Sequence, residues 1–308
     1  EKLLPSLEIL RRELAAKAEE FSDIKKIGRT HLQDAVVMTL GQEFSGYAGQ
    51  VDEAVRRLDG VRSRLGFLAL GGTAVGTGMN AAPGFARETV GLLAEETGLP
   101  LAEAPNHFAA QGGCDTAVEA GGTLKAIAAA LIKIADDIRW LASGPRCGLG
   151  EINLPAMQPG SSIMPGKINP VIPESVIQAG TQVMACDVVL GQCGSRGNLE
   201  LCAMQPLVAH NLLQGLEILA NTAGVFAGSC VRDISANREH CEANVSRSLA
   251  VASNLTPFIG YERARKVASQ AYEQGRSVEE VALEFGIMPQ QQLRRVLYGG
   301  QGQPPGAG

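Results

Sequence analysis

The chain has 308 residues, 45% hydrophobic and 19% charged, enough apolar material for a substantial core arranged as two domains or one elongated bundle. A net charge of −5 excludes the basic field that neutralising DNA or RNA phosphates would need. There is no run of about 18 apolar residues to span a membrane. Seven scattered cysteines without a C-x-x-C pair point to free thiols in a reducing compartment, the cytoplasm, and away from a disulfide framework or a zinc site. No cofactor or metal motif is present. Aromatic residues make up only 4%, so small and aliphatic side chains must fill the core, which lets helices approach closely. The chain opens on Glu1, not Met, and enters a helical pattern at once, as a trimmed chain would.

From Lys2 to Phe21, Leu3, Leu7, Leu10, Leu14 and Ala18 recur at the three- and four-residue spacing of an amphipathic helix. A polar island, "SDIKKIGRTHLQDA", follows and reads as a turn between helices. Residues 40 to 70 return to helical spacing through Val51, Val55, Leu58, Val61, Leu65 and Leu68. "GGTAVGTGMNAAPG" is then a glycine-rich connection; it lacks the Gly-Lys-Ser/Thr of a P-loop, although exposed backbone N–H groups in such loops can hold small anions.

Residues 111 to 143 predict a long helix that is apolar on most faces, as do 173 to 190 and 206 to 231. Three such helices require burial by one another or by other subunits. After Ile234 the pattern shortens and gains charge. The expected domains are a central helical bundle over 1–232, a small helical domain over 233–298 and a disordered tail over 299–308. With no convincing strand alternation, the fold class is all-α.

The chemistry-bearing stretch is "GSSIMPGKINPVIPE", Gly160 to Glu174. Ser, Pro and Gly are ordinary loop residues. Ile163, Met164, Ile168, Val171 and Ile172, however, make this loop apolar enough to fold against the core as a lid or site loop does. In the first island Thr30 and His31 follow Arg29. Were the two islands to meet, His31 and Glu174 could form an acid/base pair.

"GSSIMPGKIN" resembles the G-S-S-x-M-P-x-K-x-N signature of the fumarase/aspartase superfamily. "KIGRTHLQDA", "TLGQEFSGYAGQV", "GGTAVGTGMN", "APNHF", "IRWLASGPRCGLGEI" and "HNLLQ" follow the order and wording of class II fumarases over residues 1 to about 290. The resemblance implies long helices in a homotetramer around a shared helical core, with sites built from several subunits and no cofactor. It implies reversible anti addition of water to fumarate, giving malate. Aspartate ammonia-lyase, which "EINLP" resembles, and an inactive assembly subunit stay open as alternatives.

Carried over, the resemblance makes Ser161 the carbon-acid base, and His31 with Glu174 the group that handles water and the leaving hydroxyl. Thr30, Ser162, Lys167 and Asn169 would bind the dicarboxylate. The superfamily also has an N-terminal region with further Ser/Thr and Ser-Ser-Asn segments that bind substrate, and this sequence starts after them. The expectation is therefore an N-terminally truncated chain with little or no activity alone.

Overall fold

The computed structural model describes residues 1–158, 160 and 163–299. Among them are thirteen α-helices. The first part of the chain runs through α1 (Leu3–Glu20), a hairpin of β1 (Lys25–Thr30) and β2 (Gln33–Thr39), and α2 (Leu40–Leu65). Short α3 (Thr73–Gly76), α4 (Phe85–Thr97) and short α5 (His107–Gly112) lead to the long helices α6 (Asp115–Leu141), α7 (Val171–Gly194) and α8 (Gln205–Ser229). Five small helices follow: α9 (Arg238–Arg247), α10 (Thr256–Ile259), α11 (Tyr261–Gln274), α12 (Val278–Glu284) and α13 (Gln290–Tyr298). No helix among the described residues is long and apolar enough to cross a membrane.

The chain divides into two compact units. The first gathers residues 1–13, 47–139 and 155–233; the second gathers 14–46, 140–154 and the chain from Ile234 onward. In the first unit α7 and α8 make the most extensive helix contact. Leu124, Ile127, Ala128 and Leu131 of α6, Val183 and Cys186 of α7, and Leu219, Ala223 and Phe226 of α8 are all buried. Pro206 in the first turn of α8 leaves no hydrogen bond unmade, since an N–H there has no partner within the helix.

The core of the second unit joins the hairpin residue Ile27 to Val245, Val251, Leu255, Val267, Val281, Leu293 and Leu297 from the C-terminal helices. α12 starts on a capping box in which Ser277 and Glu280 satisfy each other's backbone N–H groups. Lys17, at the end of α1, is buried and donates to the Ile234 carbonyl at 2.8 Å and to Glu20 at 2.8 Å.

The hairpin corrects the expected turn between helices. β1 and β2 pair antiparallel from Lys25↔Thr39 to Thr30↔Gln33. β1 shows no clean alternation because Lys26, Ile27 and Gly28 are all buried in succession, so the period-2 signal of a half-buried strand is absent. Four further strands are two residues long; Phe67–Leu68 pairs with Ala102–Glu103 and Ile152–Asn153 with Ser235–Ala236.

Phe226 is fully buried. Phe226→Ala should lower the unfolding free energy by about 3–5 kcal/mol, read as a lower urea midpoint at unchanged slope.

Candidate active site

Thr30 and His31 sit at the tip of the hairpin, both exposed. The two residues between the paired ends are His31 and Leu32, with φ of 55° and 60°. These are the φ signs of a type I′ turn, normally supplied by Asn-Gly. A bulky residue in that region is an outlier that persists only when its surroundings over-determine it, and such strain gathers at functional sites.

The base of the hairpin supplies that constraint. Lys26 is 2% exposed and Glu151 is fully buried. Glu151 Oε1 accepts from Arg29 Nη1 at 2.8 Å, while its Oε2 lies 3.0 Å from Lys26 Nζ, close enough to pair although not aligned as a hydrogen bond. Lys26 Nζ also pairs with Glu43 at the start of α2. Two cations from one strand thus meet two carboxylates, one from α2 and one from the 140–154 segment. Cys241 of α9 donates its S–H to the Glu151 carbonyl at 3.5 Å, and burial pushes its thiol up to about 12, so it stays neutral beside these charges.

Above this cluster the register shifts, with Ala35 and Val36 opposite the single residue Gly28. Such a bulge increases twist and re-aims the side chains beyond it, here the Thr30–His31 end. Ser248 Oγ donates to Asp34 Oδ2 at 2.8 Å, and Lys25 Nζ to the Tyr298 carbonyl at 2.6 Å, tying both strands to the C-terminal helices. Sequence reasoning gives no hint that Lys26, Arg29, Glu43 and Glu151 pair: Glu151 lies 122 residues from Arg29, and no spacing rule connects them.

The second polar element belongs to the first unit. Ser161 and Ser162 lie outside the described residues. Around them, Gly160 N donates to the Lys167 carbonyl at 3.0 Å and Asn169 Nδ2 donates to the Gly160 carbonyl at 2.8 Å. These two bonds close the neck of the loop. Asn169 therefore spends one amide N–H on the backbone, leaving its second N–H and Oδ1 for other partners. Within the loop Lys167 N bonds the Met164 carbonyl at 3.2 Å, Pro165 stands at the second position, and Gly166 takes the positive φ of 80° at the third. That is the pattern of a type II turn, and it leaves Lys167 exposed at its end.

A cavity of about 470 Å³ opens beside Met157, Gln158, Gly160, Gly166, Lys167 and Ile168. The expectation that apolar side chains seat this loop on the core holds in part: Val171 and Ile172 are half-buried, but Ile163 is 86% exposed, and Met164 and Ile168 are about half exposed. The clamped neck fixes the loop through its backbone, which frees those side chains from that task.

Glu174 stands in the first turn of α7, where a carboxylate is favoured by the helix dipole. It is 3.8 Å from Arg139, which also donates to Asp136 at 2.9 Å. His31 belongs to the second unit and Glu174 to the first. Of the other histidines, His107 opens α5 with Nε2 3.2 Å from Glu103, and His210 is exposed on α8.

Long buried helices, a strained polar hairpin tip and a clamped Lys/Asn loop mark the chain as a helical-bundle protein with two exposed polar elements. The chain belongs to the family described as Lyase, which matches residues 1–185; the family described as Fumarase C C-terminus matches residues 251–298. It is 48% identical over 295 residues to the class II fumarate hydratase of Thermosynechococcus vestitus, covering 96% of this chain and 63% of that protein. It is 49% identical over 286 residues to the enzyme of the same name from Neisseria meningitidis, covering 93% and 62%. Among solved structures, the class II fumarase of Schistosoma mansoni superposes with a TM-score of 0.90 at 38% identity, covering 96% of this chain and 65% of that one. The chain thus spans just under two thirds of the length of these relatives.

Glu151→Gln should cost about 3–5 kcal/mol of stability, because the buried Lys26 and the half-buried Arg29 are left without full compensation. In urea denaturation the Lys26→Met/Glu151→Gln pair should cost less than the sum of the single changes. In the loop, a Cβ at Gly160 would fall 2.2 Å from the Lys167 carbonyl oxygen. Gly160→Ala should therefore open the neck, seen as faster exchange of the backbone amide at position 160 and of the Asn169 side-chain amide, with little change in the melting of the helices.

Proposed function

We propose that the protein is a fumarate hydratase that interconverts fumarate and malate by anti addition of water. The reading is supported above all by the Gly160–Asn169 loop, whose clamped neck presents Lys167 beside a cavity, together with the class II fumarase names of the relatives. Removing a proton alpha to a carboxylate leaves an aci-carboxylate with concentrated negative charge, which fixed positive charge must stabilise. Lys167 supplies a point charge and Asn169 a directional donor. Ser161, at the position of the carbon-acid base in the superfamily, needs its alkoxide stabilised by neighbouring N–H groups, since a free hydroxyl is far too weak a base.

Thr30 would hold a substrate carboxylate. His31, oriented by Glu174, would take the proton of the incoming water and return it to the leaving hydroxyl in the reverse direction. The pair is assembled between subunits of a homotetramer. Val188, Leu207, Leu213 and Val225 of α7 and α8 are exposed, apolar and of the kind that subunit contact buries, which supports that assembly. Sealing the exposed Ile163 and Ile168 against a second subunit or the bound substrate would exclude water during the reaction. Free thiols support a cytoplasmic setting.

The test follows fumarate absorbance with the full-length polypeptide, with and without ammonium. Malate formation without ammonium is expected; strict ammonium dependence would make it an aspartate ammonia-lyase, and no turnover in either case an assembly subunit. Ser161→Ala should lower kcat by about 10²–10⁴-fold with an unchanged light-scattering mass, and activity surviving that change would remove Ser161 as the base.

A further inference from the structure

Behind the long helices lies a cluster that the proposed reaction does not use. Cys114, Cys193 and Cys202 pack with Leu190 and Val208 in a small apolar core of the first unit. Cys114 immediately precedes α6, and its carbonyl accepts from Ala117 and Val118 in the first turn of that helix. Cys202 lies in the connection between α7 and α8, and its backbone N–H donates to the Gln111 carbonyl at 2.7 Å. That bond holds the connection against the end of α5, and it brings the two sulfurs to 3.2 Å although 88 residues separate them. Cys114 is 8% exposed and Cys202 1%. Cys193 contributes its carbonyl, 3.9 Å from the Cys202 sulfur.

Cysteine is among the most buried residue types, and thiols in an apolar core ordinarily serve as small hydrophobes. Two facts separate this pair from that ordinary case. The sulfurs are already in contact, so joining them needs no closure of the 88-residue loop. Cys114 also keeps some exposure, so a small oxidant can reach one member while the other stands ready behind it. We propose that Cys114 and Cys202 form an oxidant-responsive disulfide site that ties the start of α6 to the α7–α8 connection.

With a peroxide as oxidant, the Cys114 thiolate attacks one peroxide oxygen, the O–O bond breaks, and hydroxide leaves, taking up the thiol proton as water. The sulfenic acid left on Cys114 is attacked by the Cys202 sulfur. The S–S bond forms, the S–O bond breaks, and the hydroxyl departs with the Cys202 proton as a second water. Two thiols are oxidised by two electrons and one peroxide is reduced. Burial, then the hydrogen bond to Cys202, pushes the Cys114 thiol up to about 12, so its thiolate is scarce at neutral pH and the bond closes slowly, under sustained oxidant.

The experiment treats the folded chain with hydrogen peroxide, blocks remaining thiols by alkylation in denaturant, and maps peptides without reduction. Exposed Cys147 reports that oxidant was delivered. The expected result is a Cys114–Cys202 linked peptide, two hydrogens lighter than its parts, that disappears on reduction. It should be accompanied by a rise in Tm on the order of 5–10 °C, reversed by reductant, because the cross-link restricts the unfolded chain. Cys202→Ser should abolish both the linked peptide and the rise. Recovery of Cys114 and Cys202 as alkylated thiols while Cys147 is oxidised would overturn the proposal, as would Cys114 trapped as a sulfinic acid, or a link from either residue to Cys193.

Discussion

The arrangement of the second unit rests on one buried electrostatic knot, in which Glu151 faces Lys26 and Arg29 from a single strand and Glu43 shares Lys26. Opposite charges about 3 Å apart attract by roughly 5 kcal/mol at an effective dielectric near 20, and withdrawing each ion from water costs several kcal/mol. The two nearly cancel, so the knot adds little net stability over an apolar core. It ties the hairpin to one arrangement, in which the buried Lys26 and the half-buried Arg29 are both compensated by Glu151. The strand can then carry a bulge opposite Gly28 and a tip in which His31 and Leu32 both hold positive φ, a conformation that costs on the order of 1–3 kcal/mol per residue. Strain at the tip is tolerated because the base cannot shift to relieve it.

The loop after Gly160 solves a different problem. It keeps Lys167 exposed while the chain on either side of the loop is held together. Backbone bonds from Gly160 and a side-chain bond from Asn169 close the neck, and the Pro165–Gly166 turn aims Lys167, while Ile163 and Ile168 stay outside the core. The hairpin holds Thr30 and His31 at the end of an ion-paired strand, and the loop holds Lys167 exposed beside its hydrogen-bonded neck.

The long helices were legible because three- and four-residue periodicity reports burial directly: α1, α6, α7 and α8 fall within a few residues of where Leu and Ala spacing places them. The hairpin was not legible, since Lys26 and Gly28 interrupt any apolar alternation and His-Leu is not a recognised hairpin turn. Its anchoring was invisible for a further reason: Glu151 lies in a short segment after α6, and a fully buried carboxylate looks like any surface glutamate until its partners are seen. Lys167 and Asn169 stood out through their motif, but the motif could not say that Asn169 would also clamp the neck. Periodicity is equally silent on the way three separated segments gather into each unit.

The scarcity of aromatic residues links the bundle to its thiol-rich corner. With 4% aromatic content, contacts among α6, α7 and α8 are made mostly by small and aliphatic residues, Phe226 being an aromatic exception, and helices faced with small residues approach more closely than those faced with Phe or Trp. Cysteine suits such positions as a small apolar filler, and six of the seven are buried. Close packing of several thiols brings some sulfurs into contact whether or not their chemistry is wanted. Cys114 and Cys202 meet for the same reason that the helices around them pack tightly, so the capacity for a cross-link follows from how this core is filled and would vanish if either position were taken by Ala or Val.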